Sequence, residues 1–162
     1  MQASQPLRDA AVLLPLVECP RVGQGLVMIR RAEHLTSHPG QIGFPGGAPE
    51  PHDPDLLAAA LRETAEETGI GDRHIRPLGQ LGRVGTSTGY LIHAFVAGVQ
   101  SGFELVAQTD EVAEIFILPA SVALERGAFT WRGLRLHGHQ LRLPELEFEG
   151  RRIWGATAVL LW

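Results

Sequence analysis

Short runs of alternating apolar and polar residues, separated by turns that contain glycine or proline, predict β-strands through most of this chain. Residues 10–17 and 25–30 predict a hairpin, and residues 76–83 and 90–99 predict a second strand pair. Further strands are expected at residues 42–44, 114–118, 132–136, 140–143 and 147–154. Helical segments between these strands predict an α/β fold (α+β) in which a mixed sheet lies between helices.

The longest helix is predicted at residues 55–68, where the strong helix formers Ala, Leu and Glu predominate. Asp53 suits the N-cap, Pro54 suits the first helical position, and Gly69 ends the helix. Shorter helices are expected at residues 120–125 and 155–162.

Three carboxylates share one surface of the long helix. At roughly 100° per residue, Glu63 lies about 40° from Glu67 and about 60° from Glu66. Like charges at this spacing repel one another, and a hard cation with oxygen ligands removes the repulsion. For the acids alone, an ordinary solvated helix face is the favoured interpretation, with Arg62 as the salt-bridge partner of Glu66.

A glycine loop, Phe44-Pro45-Gly46-Gly47, precedes this helix. Adjacent glycines let the backbone approach a ligand closely and adopt positive φ, although a plain tight turn uses the same freedom. The combination of glycine loop and acidic helix favours a divalent metal that holds a diphosphate.

The segment from Gly47 to Ile70 resembles the Nudix box, the signature of hydrolases that cleave a nucleoside diphosphate linked to another group. The general pattern is a glycine, five residues, an acid, seven residues, and then Arg-Glu-apolar-any-Glu-Glu-any-Gly-apolar. Here the second half matches from Arg62 onward, with Thr64 in place of the usual aliphatic residue. The first half has one extra residue, because eight residues separate Asp53 from Arg62.

This longer spacing, with Asp as the first acid, resembles the coenzyme A pyrophosphatase branch of the family. The branch carries a preceding segment His-Leu-x-x-His-x-Gly-Gln-hydrophobic-x-Phe-Pro-Gly-Gly, which residues 34–47 match, with Arg31 just before it. Residues 86–90 resemble its Thr-x-x-Gly-aromatic loop, and residues 154–158 resemble its Trp-Gly-x-Thr-Ala helix start. The likeness runs from about residue 10 to the C-terminus.

The resemblance implies an α/β/α sandwich and a pyrophosphatase that cuts coenzyme A or acyl-coenzyme A into 3',5'-ADP and 4'-phosphopantetheine or its acyl derivative. It implies Mg²⁺ or Mn²⁺ as the cofactor. The implied metal ligands are Glu63, Glu66, Glu67 and a backbone oxygen near Gly47, and Arg62 is implied to orient a glutamate. The implied substrate-binding residues are Arg31, His38, Gln41, Gly46, Gly47, Thr86 and Gly89.

Two assignments stay open at this point. Asp53 is either the first acid of the box or the N-cap of the helix, and the two roles are compatible. The general base is Glu66, Glu67 or Glu111, and Glu111 is also explained as an exposed loop charge. The three tryptophans can stack an adenine, but we expect them to pack in the core.

Three functions remain in view. The first is coenzyme A hydrolysis, and the second is hydrolysis of another nucleoside diphosphate derivative such as ADP-ribose, a dinucleoside polyphosphate or an oxidised nucleotide. The third is a non-catalytic nucleotide-sensing module. The intact set of Arg62 and three glutamates argues against the third, because a sensor does not need all four.

Composition and charge limit which kinds of partner we expect for this chain. Its 162 residues fit a single domain spanning 1–162. The net charge is -4, and the sequence contains no basic block of the kind typical of nucleic-acid binders. Cys19 is the only cysteine, which excludes an intrachain disulfide and favours a cytoplasmic protein. No apolar run approaches the roughly 20 residues that span a bilayer. We therefore expect a small-molecule partner, no membrane, and a monomer or homodimer.

Overall fold

The computed structural model of the protein describes residues 6–136 and 138–162. It contains a seven-stranded mixed sheet and a three-stranded antiparallel sheet. The strands are β1 (Arg8–Cys19), β2 (Gly23–Arg31), β3 (Ile42–Gly43), β4 (Gly46–Gly47), β5 (Ile75–Gly85), β6 (Tyr90–Val99), β7 (Val112–Pro119), β8 (Phe129–Leu136), β9 (His139–Phe148) and β10 (Arg151–Ile153). The helices are α1 (Leu56–Thr68), α2 (Ala120–Ala123) and α3 (Gly155–Leu161), with 3₁₀ turns at Asp72–His74 and Arg126–Ala128.

The central strand β1 runs parallel to β6 along one edge and pairs with two different strands along the other. Its C-terminal part pairs with β2, from Leu16 to Cys19, whereas Ala11 and Val12 pair with β4. β3 in turn pairs with the far end of β2. The short strands β3 and β4 therefore fill the space where β1 and β2 diverge, and this brings Gly46 and Gly47 to the middle of the sheet.

Side chains of β1 alternate between two cores. Ala11 and Leu13 pack with Ala59 and Ala60 of α1 on one face. On the other face, Leu14 packs in a core that also contains residues of β9, β10, α2 and α3. The mixed sheet thus lies between α1 and a layer formed by the smaller sheet with two short helices, which confirms the predicted fold class.

The long helix ends as predicted but begins later. Gly69 adopts φ 79° and donates its N–H to Ala65, which is the expected left-handed stop. The N-cap is Asp55, whose Oδ1 accepts from Ala58 N at 2.7 Å, so the prediction of Asp53 as the cap is wrong. The Asp53 carboxylate is engaged elsewhere, as described below. No helix of the described residues is long and apolar enough to cross a membrane.

Two parts of the strand prediction differ from the structure. The strand expected at 42–44 is β3, which ends at Gly43, and the glycine loop after it forms a further short strand, β4. Pro45 separates the two because it lacks an N–H for a ladder, although its carbonyl still accepts from Leu13 N at 2.9 Å. The two strands expected at 140–143 and 147–154 are instead β9 and β10, joined by a turn in which Glu149 has φ 49°.

The tryptophans do not pack in the core as expected. Trp131, Trp154 and Trp162 retain 42%, 42% and 39% of their accessible surface. Trp131 and Trp162 contact each other edge to face, with ring centroids 4.9 Å apart, and Trp154 precedes α3. Aromatic and guanidinium partners at the surface replace the expected apolar burial.

Candidate active site

Two glutamates of α1 meet the glycine strand β4. Glu67 Oε2 accepts from Gly46 N at 3.0 Å, and only 2% of Glu67 is exposed. Glu63 lies against Gly47, since a Cβ on Gly47 would stand 2.5 Å from Glu63 Oε1. A side chain at position 47 would displace that carboxylate, so glycine at this position leaves room for Glu63 beside β4. The predicted meeting of glycine loop and acidic helix is present in the structure.

Glu66 is the most exposed of the three acids. Its side chain is 57% exposed, and it accepts at 3.3 Å from Arg62 Nη1, the atom that also donates to Glu63. Within residues 6–136 and 138–162, no three His, Cys, Asp or Glu side chains gather closely enough to form a metal cluster. Helical angles placed the three acids on one surface, but β4 covers only the side that carries Glu63 and Glu67.

Burial and mutual repulsion raise the pKa of both glutamates. The pKa of Glu67 rises to about 8, first because burial removes water from the carboxylate and also because Glu63 and Glu111 repel its charge. The Gly46 N–H and the Arg31 guanidinium oppose this rise. Burial also raises the pKa of Glu63, against the hydrogen bond and charge of Arg62. Such a pair is stabilised by a cation.

The donors fit a hard divalent cation. Mg²⁺ usually keeps several waters and binds one or two carboxylates together with substrate phosphates, so it does not require a closed cage of protein ligands. Glu63 and Glu67 supply carboxylate oxygens, and the backbone of β4 lies against both of them. Mn²⁺ accepts the same oxygen donors.

Arg62 ties α1 to the loop before it. Its Nε and Nη2 reach the two Asp53 oxygens at 3.1 and 3.0 Å, and its Nη1 donates to Glu63 Oε1 at 3.1 Å. Nη2 also donates to Ala48 O at 3.3 Å. The bidentate partner of Arg62 is therefore Asp53, and the glutamate that it orients receives a single hydrogen bond. This contact explains why Asp53 is not free to cap the helix.

Asp53→Asn is expected to weaken this attachment while preserving side-chain volume. Arg62 lowers the pKa of Asp53, so the pair contributes stability above the ordinary aspartate pKa and loses it as pH falls through the lowered value. We expect activity to fall about 10- to 100-fold and the stability at neutral pH to decrease.

Steady-state kinetics and thermal unfolding between pH 2 and 7 test this expectation. Asp72→Asn, at an aspartate in the 3₁₀ turn after α1, is the control. If Asp53→Asn behaves like the control, the attachment of Arg62 does not depend on this carboxylate.

Glu111 reaches the site through the connection between β6 and β7. In this connection, Val106 N donates to Thr68 O at 2.9 Å and Gln108 N donates to Glu67 O at 3.3 Å, so the chain crosses the C-terminal end of α1. Gln108 Oε1 then accepts from Glu111 N at 3.0 Å. Sequence analysis missed Gln108, because nothing in its neighbourhood shows that the connection folds back on the helix.

The segment after β2 brings Arg31 and Gln41 to the same region and leaves His38 at the surface. Arg31 is near enough to Glu67 to lower its pKa, and its Nε donates to Ser37 O at 3.2 Å. Arg31 N donates to Gln41 O at 3.0 Å, so the two residues are neighbours across the chain. His38 is exposed and has φ 52°.

Thr86 and Gly89 form the turn between β5 and β6. Thr86 Oγ1 accepts from Tyr90 N at 3.0 Å, and Gly89 has φ 88°. Gly89 O accepts from Arg8 N at the start of β1. Ala11, three residues further along β1, pairs with Gly47. The turn thus lies about 10 Å from Gly47 along β1, and in the part of the chain that the structure describes no hydrogen bond joins it to the acids.

Comparison with known proteins identifies relatives along nearly the whole chain. A family model described as NUDIX domain matches residues 7–134. An uncharacterized Nudix hydrolase NudL of Photorhabdus laumondii is 38% identical over 154 residues, which cover 95% of this chain and 81% of the relative. A protein of the same description from Enterobacter sp. is 36% identical, covering 95% of this chain and 79% of the relative.

Solved structures share the fold at lower identity. A C. elegans Ap4A hydrolase, solved as a binary complex, aligns with a TM-score of 0.60 and 16% identity, over 72% of this chain and 83% of that one. The NUDIX domain of Shewanella oneidensis NrtR, complexed with ADP ribose, aligns with a TM-score of 0.59 and 20% identity, over 76% and 80%. At such identities the likeness shows the fold alone.

Proposed function

Since this chain belongs to the Nudix hydrolase family, we propose that it hydrolyses the diphosphate of coenzyme A or of an acyl-coenzyme A thioester. The products are 3',5'-ADP and 4'-phosphopantetheine or its acyl derivative. The observation that supports the reaction is the contact of Glu67 with Gly46 N and of Glu63 with Gly47, which sets one buried and one partly buried carboxylate against a glycine backbone. Mg²⁺ or Mn²⁺, when bound, neutralises phosphate charge and lowers the pKa of a coordinated water.

The contacts of each side chain suggest its role in the reaction. Glu63 and Glu67 hold the cation, and Arg62 fixes the Glu63 carboxylate from behind. Arg31 is the guanidinium near Glu67 and is assigned to a phosphate oxygen. Attack of water oxygen on phosphorus breaks the bridging P–O bond, and the phosphate on the other side leaves with its electrons.

Glu111 is the proposed acceptor of the proton from the attacking water. Glu67 already accepts a backbone N–H and Glu63 accepts from Arg62, so both carboxylates have fixed partners. Glu111 is exposed, and its charge acts on both of them. Glu66 is the alternative base and lies on the solvent side of α1.

The choice of coenzyme A rests on the segment between β2 and β4. Gly47 and Arg31, at the two ends of this segment, both lie beside the carboxylates, and Gln41 is backbone-paired with Arg31. Because both ends of this segment lie beside the carboxylates, the segment is suited to contact the part of coenzyme A next to the diphosphate, such as its ribose 3'-phosphate. His38 is exposed on the same segment and is kept as a substrate-binding residue.

A substrate panel tests the proposal. The wild-type protein is incubated with coenzyme A, acetyl-coenzyme A, ADP-ribose and diadenosine tetraphosphate, with Mg²⁺, Mn²⁺ or a chelator, and the phosphorylated products are identified. We expect metal-dependent release of 3',5'-ADP from coenzyme A at the highest kcat/KM. Faster cleavage of another member of the panel would assign the site to that nucleoside diphosphate derivative instead.

Gln41→Ala is expected to lower kcat/KM for coenzyme A about tenfold more than for ADP-ribose, because coenzyme A carries a ribose 3'-phosphate next to the diphosphate and ADP-ribose does not. Arg31→Ala is expected to lower kcat/KM for both substrates, because both carry the diphosphate beside Glu67. Arg21→Ala, in the turn between β1 and β2, is the control for loss of a surface arginine. An equal loss on both substrates in Gln41→Ala would remove the basis for assigning coenzyme A to this segment.

A further inference from the structure

Trp154 has no structural role that explains its residue type. It is the N-cap residue of α3, in extended conformation with φ -149°, and its side chain makes no capping hydrogen bond. The preceding Ile153 is fully buried, whereas Trp154 points the other way along the strand and stays 42% exposed. Neither helix capping nor core packing therefore accounts for an indole at this position.

A continuous series of contacts leads from the acids to Trp154. Arg31 lies near Glu67, and its N–H donates to Gln41 O. Gln41 Nε2 lies 3.4 Å from the position that a Cβ would take on Gly155, the residue after Trp154. The segments that carry Arg31, Gln41 and Gly155 therefore lie side by side, and Trp154 is next to the last of them.

The indole is restrained rather than free. The Arg152 guanidinium carbon lies 5.4 Å from the centroid of the Trp154 ring. Glu145 holds that guanidinium through two contacts, one of which joins Arg152 Nη2 to Glu145 Oε2 at 2.8 Å. A cation over the ring and a carboxylate behind it favour one orientation of the indole, so less freedom is lost when a ligand stacks on it.

From its exposure, its place at the end of this series of contacts and its restraint, we propose that Trp154 is the platform on which the adenine of the substrate stacks. The inference rests on the proposed function, because it requires the diphosphate to lie at Glu63 and Glu67. Trp131 has the same exposure, but it packs against Trp162, on the sheet formed by β8, β9 and β10. It is therefore the matched control.

Isothermal titration with two non-hydrolysable probes separates adenine binding from diphosphate binding. In the presence of Mg²⁺, α,β-methylene-ADP carries the adenosine and methylenediphosphonate does not. Trp154→Leu keeps apolar bulk but has no aromatic face. We expect it to weaken the affinity for α,β-methylene-ADP about tenfold and to leave the affinity for methylenediphosphonate unchanged. Trp154→Phe restores an aromatic face and is expected to stay within about threefold of the wild type.

The outcomes distinguish this inference from the proposed function. Wild-type affinity for α,β-methylene-ADP in Trp154→Leu, or an equal loss for both probes, would overturn the stacking role, as would the same tenfold loss in Trp131→Leu. Failure of the wild type to bind α,β-methylene-ADP would overturn it too. If stacking holds but coenzyme A is not cleaved, only the substrate assignment fails, since other adenine nucleotides share the base.

Discussion

Glu67→Gln is expected to lower turnover about a thousandfold or more, roughly 4 kcal/mol of transition-state stabilisation, while the chain still folds. The amide oxygen of glutamine can accept from Gly46 N as the carboxylate does, so the contact between α1 and β4 is retained. The negative charge that would hold the cation is lost. Kinetics over a range of Mg²⁺ concentrations, with circular dichroism as the test of folding, measure both effects.

The same variant has a distinctive pH dependence without metal. Because the folded pKa of Glu67 is raised to about 8 from 4.5, the folded state binds more protons than the unfolded state between these values. Wild-type stability from this group is complete below pH 4.5 and is lost as pH rises toward 8. Glu67→Gln removes that loss, so above pH 8 the metal-free variant is expected to be more stable than the wild type.

Added Mg²⁺ should restore stability to the wild type at pH 8 and leave Glu67→Gln little changed. Glu147→Gln, at an exposed position of β9, is the control for removing one negative charge. Turnover by Glu67→Gln at the level of this control would place the metal site elsewhere.

Gly46→Ala is expected to destabilise the protein by about 3 kcal/mol or more. A Cβ at this position would stand 2.2 Å from Ala11 O and 2.6 Å from Val12 Cα, and the backbone has φ 154°. These neighbours are backbone atoms of the central strand, so no rotamer change relieves the contact. Shifting β4 would also break the hydrogen bond between Gly46 N and Glu67.

Denaturant unfolding of Gly46→Ala and of Gly71→Ala provides the comparison. Gly71 has φ -76° and open space where its Cβ would lie, so alanine is expected to be tolerated there. Equal stability of the two variants would show that β4 does not approach β1 as closely as the structure has it.

Periodicity and motif spacing were sufficient to predict the fold class and the contact between the glycine loop and the acidic helix. The two strand pairs, the helix before Gly69 and the meeting of Gly46–Gly47 with Glu63 and Glu67 all depend on local patterns that a single sequence displays. Local patterns also limit the prediction. Helical angles group Glu66 with its neighbours, but which flank is covered depends on β4, which is brought there by strand pairing with β1.

Contacts between distant segments explain the other differences. Asp53 and Asp55 are both plausible caps in sequence, and only the position of Arg62 across the loop decides which one caps the helix. Gln108 was not assigned a role, and Trp154 was expected in the core, because the neighbours of Gln108 and of the segment that carries Trp154, Glu67 and Gln41, are far away in the chain. A residue whose partners are set by tertiary packing gives no periodic signal.

The connection from β6 to β7 has a consequence for how this protein tolerates change in length. Residues 106 and 108 fasten it to the last carbonyls of α1, and three residues later it presents Glu111. An insertion or deletion between residues 108 and 111 would shift that acid relative to Glu67 even if both sheets were untouched. Surface loops usually accept insertions, but here we expect an insertion at residues 101–102, before the contacts with the end of α1, to be tolerated better.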